Sequence, residues 1–175
     1  MEKKEALLVL DMLDDFTREG SPLEVPGNRK IIPAIRREME KARVAGNPVI
    51  YVCDNHAPDD EEFSRFGWPP HGVRGSRGQQ VVDELKPRSD DIIIKKTHYS
   101  AFFDTKLKET LDRLGAGSVR LTGCLAHICV LFTAYEAAMN GYGVVVVKDG
   151  IADITPEDKE AAIRIMGNTL KVKFE

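Results

Sequence analysis

Four chemistry-bearing groups stand directly behind short apolar runs of this chain: Asp11, the Asp54-x-His56 pair, Lys96, and Cys129 beyond a glycine-bearing turn from Gly123 to His127. Placed near the start of a helix, Cys129 would meet a dipole and free N–H groups that favour a thiolate, with a lysine to help. Backbone amides of the same turn can bind an oxyanion, so the chemistry on offer is nucleophilic attack on a carbonyl. The competing reading is packing, because free cysteines are among the most buried residues; Cys53 and Cys124, which end strands, read that way. Asp11 and Lys96 read as a base and a cation, or as an ordinary ion pair at strand ends. Lys95 adjoins Lys96, and strand alternation turns only one of the two toward a shared site. Asp54, His56 and His71 form a candidate metal set, since imidazoles and a carboxylate suit zinc, iron or manganese and leave a position open. His71 closes a Trp-Pro-Pro-His run that can stiffen a loop, whereas His98 and His127 are less committed. The glycines of residues 72–78 (GVRGSRG) do not lead from a strand into a helix as a phosphate loop must, and read as loop flexibility.

These groups act together only if a scaffold gathers them. Six short runs read as strands: Ala6–Leu10, Val49–Cys53, Ile92–Lys95, Val119–Thr122, Val144–Val147 and Lys171–Phe174. Several are continuously apolar, as expected of strands covered on both faces of a parallel sheet. Between them lie stretches of helical period. Ile32, Ile35, Met39 and Ala42 make one stripe, and Leu107, Leu111 and Leu114 a second. Ile128, Leu131, Phe132, Tyr135, Ala138 and Met139 make a third, the widest, which predicts the most buried helix face. Gly46, Gly115 and Gly141 stand where these helices should stop, and Pro156 behind Thr155 opens a last one. The alternation predicts one α/β domain over residues 1–175: three α/β/α layers around a six-stranded, mostly parallel sheet of Rossmann-like type. Ligands of such sheets bind beyond the carboxyl ends of the strands, where all four groups fall. Residues 54–80 break the rhythm with no sustained apolar period, and a loop of that length in a compact domain is usually functional or disordered. It holds two of the four histidines and the only tryptophan, which favours function.

The chain has 175 residues, with 25 Lys and Arg against 28 Asp and Glu and a formal net charge of −3. That balance offers no basic face for nucleic acid. No apolar run approaches the about 20 residues that span a bilayer, and the first run, followed by acidic residues, does not read as a secretory signal. Three cysteines cannot all pair and form no C-x-x-C, so the expectation is a reduced, cytoplasmic protein.

Five segments taken in order resemble the isochorismatase-like cysteine hydrolases, and among them the nicotinamidases: ALLVLDMLDDF (6–16), DNH (54–56), WPPH (68–71), KTHYSAFFDTKL (96–107) and GCLAHICVLFTAYEAAMNGYGVVVVKDGIAD (123–153). The resemblance implies a triad of Asp11, Lys96 and Cys129, with Lys96 chosen over Lys95 because it lies four residues before Ser100 of the SAF run. It also implies a cis peptide at Cys124–Leu125, with the amides of Leu125 and Cys129 forming an oxyanion hole. Asp54, His56 and His71 would hold a divalent metal, zinc first, with iron or manganese as alternatives. Phe16 and Trp68 would wall the substrate ring. The implied reaction is hydrolysis of a small carboxamide, nicotinamide to nicotinate and ammonia, through a thioester, in a homo-oligomer. The alternative is another small amide, such as an N-carbamoyl compound; vinyl-ether hydrolysis of isochorismate uses no thiol, and Cys129 speaks against it. Three departures leave the substrate open. Ala126 replaces a usual Thr, Glu62 stands where some nicotinamidases place a further metal-ligating His, and the spacing from Lys96 to the SAF run is the short one.

Overall fold

A computed structural model describes residues 4–175, and its centre is one six-stranded sheet. The strands are β1 (Lys4–Leu10), β2 (Val49–Asp54), β3 (Ile92–Lys96), β4 (Ala116–Gly123), β5 (Gly143–Ile151) and β6 (Lys173–Phe174), in the order β3-β2-β1-β4-β5-β6. Every neighbouring pair is parallel, so the expected "mostly parallel" sheet is parallel throughout. β1 is the middle of the structure: Leu7, Leu8, Val9 and Leu10 are all buried because both faces are covered. Leu7 and Val9 face α2 (Asn28–Val44), whose Ile32, Ile35, Met39 and Ala42 stripe is buried as read. Leu8 and Leu10 face the opposite layer of α4 (Leu107–Leu114), α5 (Leu131–Met139) and α6 (Pro156–Leu170). Two shorter helices, α1 (Asp14–Thr17) and α3 (Glu61–Phe66), lie near the carboxyl edge, and among the described residues no helix is long and apolar enough to cross a membrane.

Three sequence expectations need correction. The last strand is Lys173–Phe174, shorter than Lys171–Phe174, because Lys171 adopts a left-handed φ of 56° as the cap of α6. The stretch 54–80 is not structureless: it contains α3, capped at its start by Asp60, whose side chain accepts from the Glu62 amide. The third stripe faces the core only in part: Ile128 is buried and Leu131 packs half-buried against the core, but its other large side chains turn outward. Phe132, Tyr135 and Met139 are 43%, 49% and 62% exposed, while Ala134 and Ala137 on the opposite side of α5 are fully buried. Close packing against the sheet selects the small side chains, and a helix apolar on every side gives a period no unique face to mark.

The turn after β4 is fixed by close approach. Gly123 has φ +107°, and a Cβ there would lie 2.0 Å from the Leu10 carbonyl oxygen, so a side chain would push β1 and β4 apart where the site begins.

Candidate active site

Parallel register does most of the gathering. Asp54 is the Cα partner of Lys96, and the Asp11 amide donates to the Val52 carbonyl at 2.9 Å, so three strand ends meet side by side. Asp11 leaves β1 with φ 51°, a left-handed conformation uncommon for a side chain-bearing residue, and its Oδ1 accepts from the Asp54 amide at 3.0 Å. Strand alternation turns Lys96 inward, 3% exposed, and leaves Lys95 exposed. The Lys96 ammonium lies 2.9 Å from Asp11 Oδ2 and 3.6 Å from Cys129 Sγ, and it also contacts Asp54 Oδ1. Asp11, Lys96 and Cys129, 118 positions apart at the extremes, are thus in mutual reach.

The segment carrying Cys129 is a five-residue π-helical turn, Ala126–Val130, that runs into α5, rather than a regular helix start. The Cys124–Leu125 peptide is cis. The turn is pinned from outside: Ala126 donates to the Ala152 carbonyl at 2.9 Å and His127 to Asp153 at 2.8 Å, while Ile128 and Val130 donate to the Leu125 carbonyl. Among the described residues, the amides of Leu125 and Cys129 find no acceptor outside the turn, and both residues line the cavity. Asp153 is a residue the sequence did not reveal; its carboxylate accepts from the His127 and Ile154 amides and meets His127 Nδ1 at 2.8 Å. Nothing in residue type or spacing marks it.

Burial sets the electrostatics. Desolvation, then the Asp54 charge, raise Asp11 to about 6 against the pull of Lys96. Asp54 is also lifted by burial, yet Lys96 and the two imidazoles more than offset it and hold it below the usual carboxylate range. Burial opposes charge on Lys96 too, but Asp11, Asp54 and Cys129 keep it protonated, well above the ordinary lysine value. For Cys129 burial dominates: the thiol is pushed well above its ordinary range although Lys96 pulls it down. Burial thus works against the thiolate that the turn and Lys96 favour.

Asp54, His56 and His71 form a compact donor set beside this cluster, each offering one ligand atom within 4.8 Å of the others. His56 Nδ1 lies 3.0 Å from Asp60 Oδ2, and His71 Nδ1 lies 2.7 Å from the Pro69 carbonyl. Each ring is thereby anchored through one nitrogen and presents Nε2 to the common space, 3.8 and 3.7 Å from the Asp54 oxygens. His56 Nε2 is buried with no hydrogen-bond partner, an orphaned group of the kind a metal ion satisfies. Desolvation holds His71 below the usual imidazole range, the neutral form a ligand needs. Burial opposes charge on His56, but Asp54 and Asp60 raise it to about 9, so a metal would displace a proton there. The residues fit a divalent cation. Glu62 lies outside the three-residue cluster and lines the cavity instead, half-buried. Asp60 is the second residue that sequence reasoning missed; its helix-capping position ahead of Glu61 and Glu62 was the available signal.

The cavity over Cys129 is narrow, with about 20 Å³ of free space, and is walled by Phe16, Leu23, Trp68, Tyr99, Leu125 and Ile128. Trp68 Nε1 donates to the Tyr99 hydroxyl at 3.1 Å, which fixes that wall. Phe16 packs edge-on against His71 at 5.3 Å, so both residues expected at the substrate ring do face the site. Cys53 and Cys124 are buried, as expected of packing residues, and His98 is exposed.

A family model described as the isochorismatase domain matches residues 5–172. A probable inactive nicotinamidase of Arabidopsis thaliana is 36% identical over 172 residues, 93% of this chain and 88% of the relative. The zinc complex of the Pyrococcus horikoshii pyrazinamidase superposes with a TM-score of 0.91 at 32% identity, covering 98% of each chain. The N-carbamoylsarcosine amidase of Thermoplasma acidophilum superposes with a TM-score of 0.88 at 34% identity, covering 98% of this chain and 95% of that one.

Proposed function

This chain belongs to the isochorismatase family, and from that premise we propose that it is a cysteine hydrolase that cleaves the carboxamide C–N bond of a small ring amide, nicotinamide being the substrate that the site suits best. The observation that carries the reading is the meeting of Asp11, Lys96 and Cys129 in one cavity with the Asp54, His56 and His71 donor set. Asp11 takes the Cys129 proton as sulfur bonds to the carboxamide carbon, and the carbonyl π pair moves to oxygen. Coupling the two events matters, because the thiol is held high and a free thiolate beside two carboxylates is costly. The Leu125 and Cys129 amides face the developing oxyanion, a contribution of about 3 kcal/mol per donor in comparable sites. Collapse breaks the C–N bond, and Asp11 returns its proton to nitrogen, which leaves as ammonia. Water then attacks the thioester carbon as Asp11 accepts its proton, the C–S bond breaks, and the proton goes back to sulfur. Lys96 stays charged throughout and offsets the carboxylates on either side. Bound at Asp54, His56 and His71, a divalent cation supplies a Lewis acid for the ring nitrogen; zinc is favoured by this donor set and by the zinc complex of the Pyrococcus horikoshii pyrazinamidase. Phe16 and Trp68 hold the ring between them.

A dicarboxylate substrate fits less well, since Lys96, the one lysine or arginine lining the cavity, is already shared by Asp11 and Asp54. An N-carbamoyl amide is the second reading. It is favoured by the Glu62 carboxylate at the cavity wall, an acceptor for ureido N–H groups, and by the likeness to the Thermoplasma acidophilum N-carbamoylsarcosine amidase. The test is ammonia release from a panel of small amides by zinc-loaded protein, with Cys129→Ala beside it. Nicotinamide should be hydrolysed, and Cys129→Ala should lose on the order of 10⁴-fold or more in kcat/KM. Release from carbamoyl compounds alone moves the assignment to the second reading, and release from none overturns both.

A further inference from the structure

The loop that delivers His71 is rich in glycine, yet it is stitched down along its length. Arg74 donates to the His56 carbonyl at 2.9 Å, His56 to the Gly72 carbonyl at 3.0 Å, and Val73 forms a parallel bridge with His56. From the other side, Asp14 donates to the Gln80 carbonyl at 2.9 Å and Asp15 to the Gly78 carbonyl at 3.0 Å. At the centre is the side chain of Asp15, whose Oδ2 accepts from the Gly72 amide at 2.9 Å. That bond spans 57 positions and ends on the residue next to His71. Two glycines make room for it. A Cβ on Gly78 would lie 2.0 Å from Asp15 Oδ1, and a Cβ on Gly72 would lie 2.7 Å from Asp54 Cβ. Gly72 therefore presses on one donor residue, is sequence neighbour to a second, and is held by Asp15.

We propose that Asp15 is a positioning residue of the metal site: it clamps Gly72, and through it His71, against Asp54. This rests on the reading that Asp54, His56 and His71 hold a divalent cation. Asp15 touches no substrate in this scheme; it links α1, which carries Phe16, to the loop, so ring wall and metal ligand keep one spacing. Two of the three glycines read from sequence as flexibility, Gly72 and Gly78, are the clearance the clamp requires.

The experiment measures zinc affinity of the metal-stripped protein by chelator competition, for wild type, Asp15→Ala, Asp15→Asn and Gly78→Ala. Outer-shell losses at such sites run to about 10–100-fold. Asp15→Ala and Gly78→Ala should both fall in that range, and Asp15→Asn, which keeps an acceptor oxygen, should lose less than either. Gly78→Ala is the decisive variant should Asp15→Ala fold poorly, because Gly78 has no left-handed φ and the three atoms nearest its new methyl all belong to the Asp15 carboxylate. Hydrogen exchange at the Gly72 amide should quicken in both. Thr155→Ala, a cap lost far from the loop, should lower stability and leave zinc affinity unchanged, separating positioning from a general structural effect. Wild-type affinity in a folded Gly78→Ala protein overturns the clamp alone; a wild-type protein that takes up no stoichiometric zinc overturns the metal reading on which it rests.

Discussion

At Cys129 two influences of similar kind and opposite sign compete. Removal from water penalises the thiolate, and the Lys96 ammonium at 3.6 Å rewards it. Asp11 and Asp54 add negative charge to the same small volume, so with burial they push the thiol's ionisation well above its ordinary value. Alkylation by iodoacetamide reports the thiolate fraction. In chelator-treated protein, the rate at Cys129, followed by peptide mapping, should rise about tenfold per pH unit from 7 to 9 without levelling. A plateau below pH 8 would mean that Lys96 outweighs burial. Identity at this scale was largely legible: residue type and position singled out Asp11, Lys96, Cys129, Asp54, His56 and His71 as candidates, the family resemblance chose Lys96 over Lys95 and grouped them, and all six converge. The state of the thiol was not legible, because ionisation depends on neighbours 33 and 118 positions away that the sequence names without placing.

Elements convert those types into geometry. A parallel strand end leaves its next residue at the carboxyl edge of the sheet, so the order of groups along the chain predicted the edge on which they meet. Helix caps do comparable work at closer range. Asp60 spends one carboxylate oxygen on the Glu62 amide, which starts α3, and the other on His56 Nδ1, which orients a metal ligand. Asp60→Ala should therefore show two separable losses: about 1 kcal/mol of stability in urea titration, as for other helix caps, and about 10–100-fold in zinc affinity by chelator competition. Loss of stability with unchanged affinity would reduce Asp60 to a cap. The element that sequence misjudged is α5. Its bulky stripe looked like a core face, yet Ala134 and Ala137 pack inward while Phe132, Tyr135 and Met139 remain outside. Period alone cannot choose between two apolar faces; the distance between helix and sheet does, and that distance is tertiary.

Over the whole molecule the donor set joins parts that are remote in the chain: Asp54 ends β2, His56 follows it, and His71 arrives on a loop held by the segment after β1. A ligand that needs all three binds only the folded state, and so stabilises it by mass action. Zinc at a hundred times its Kd would add about 2.7 kcal/mol. For a chain of this length each kcal/mol moves Tm by about 2–4 °C, so the expected rise is roughly 5–11 °C. His71→Ala is the informative control, because it removes one donor and leaves the pairing of Lys96 with Asp11 and Asp54 in place. Differential scanning calorimetry of both proteins, with and without zinc, should show the rise in wild type and little of it in the variant. An equal rise in the two would place the stabilising ion elsewhere on the molecule, and the three residues would then be a buried polar cluster with no metal to hold.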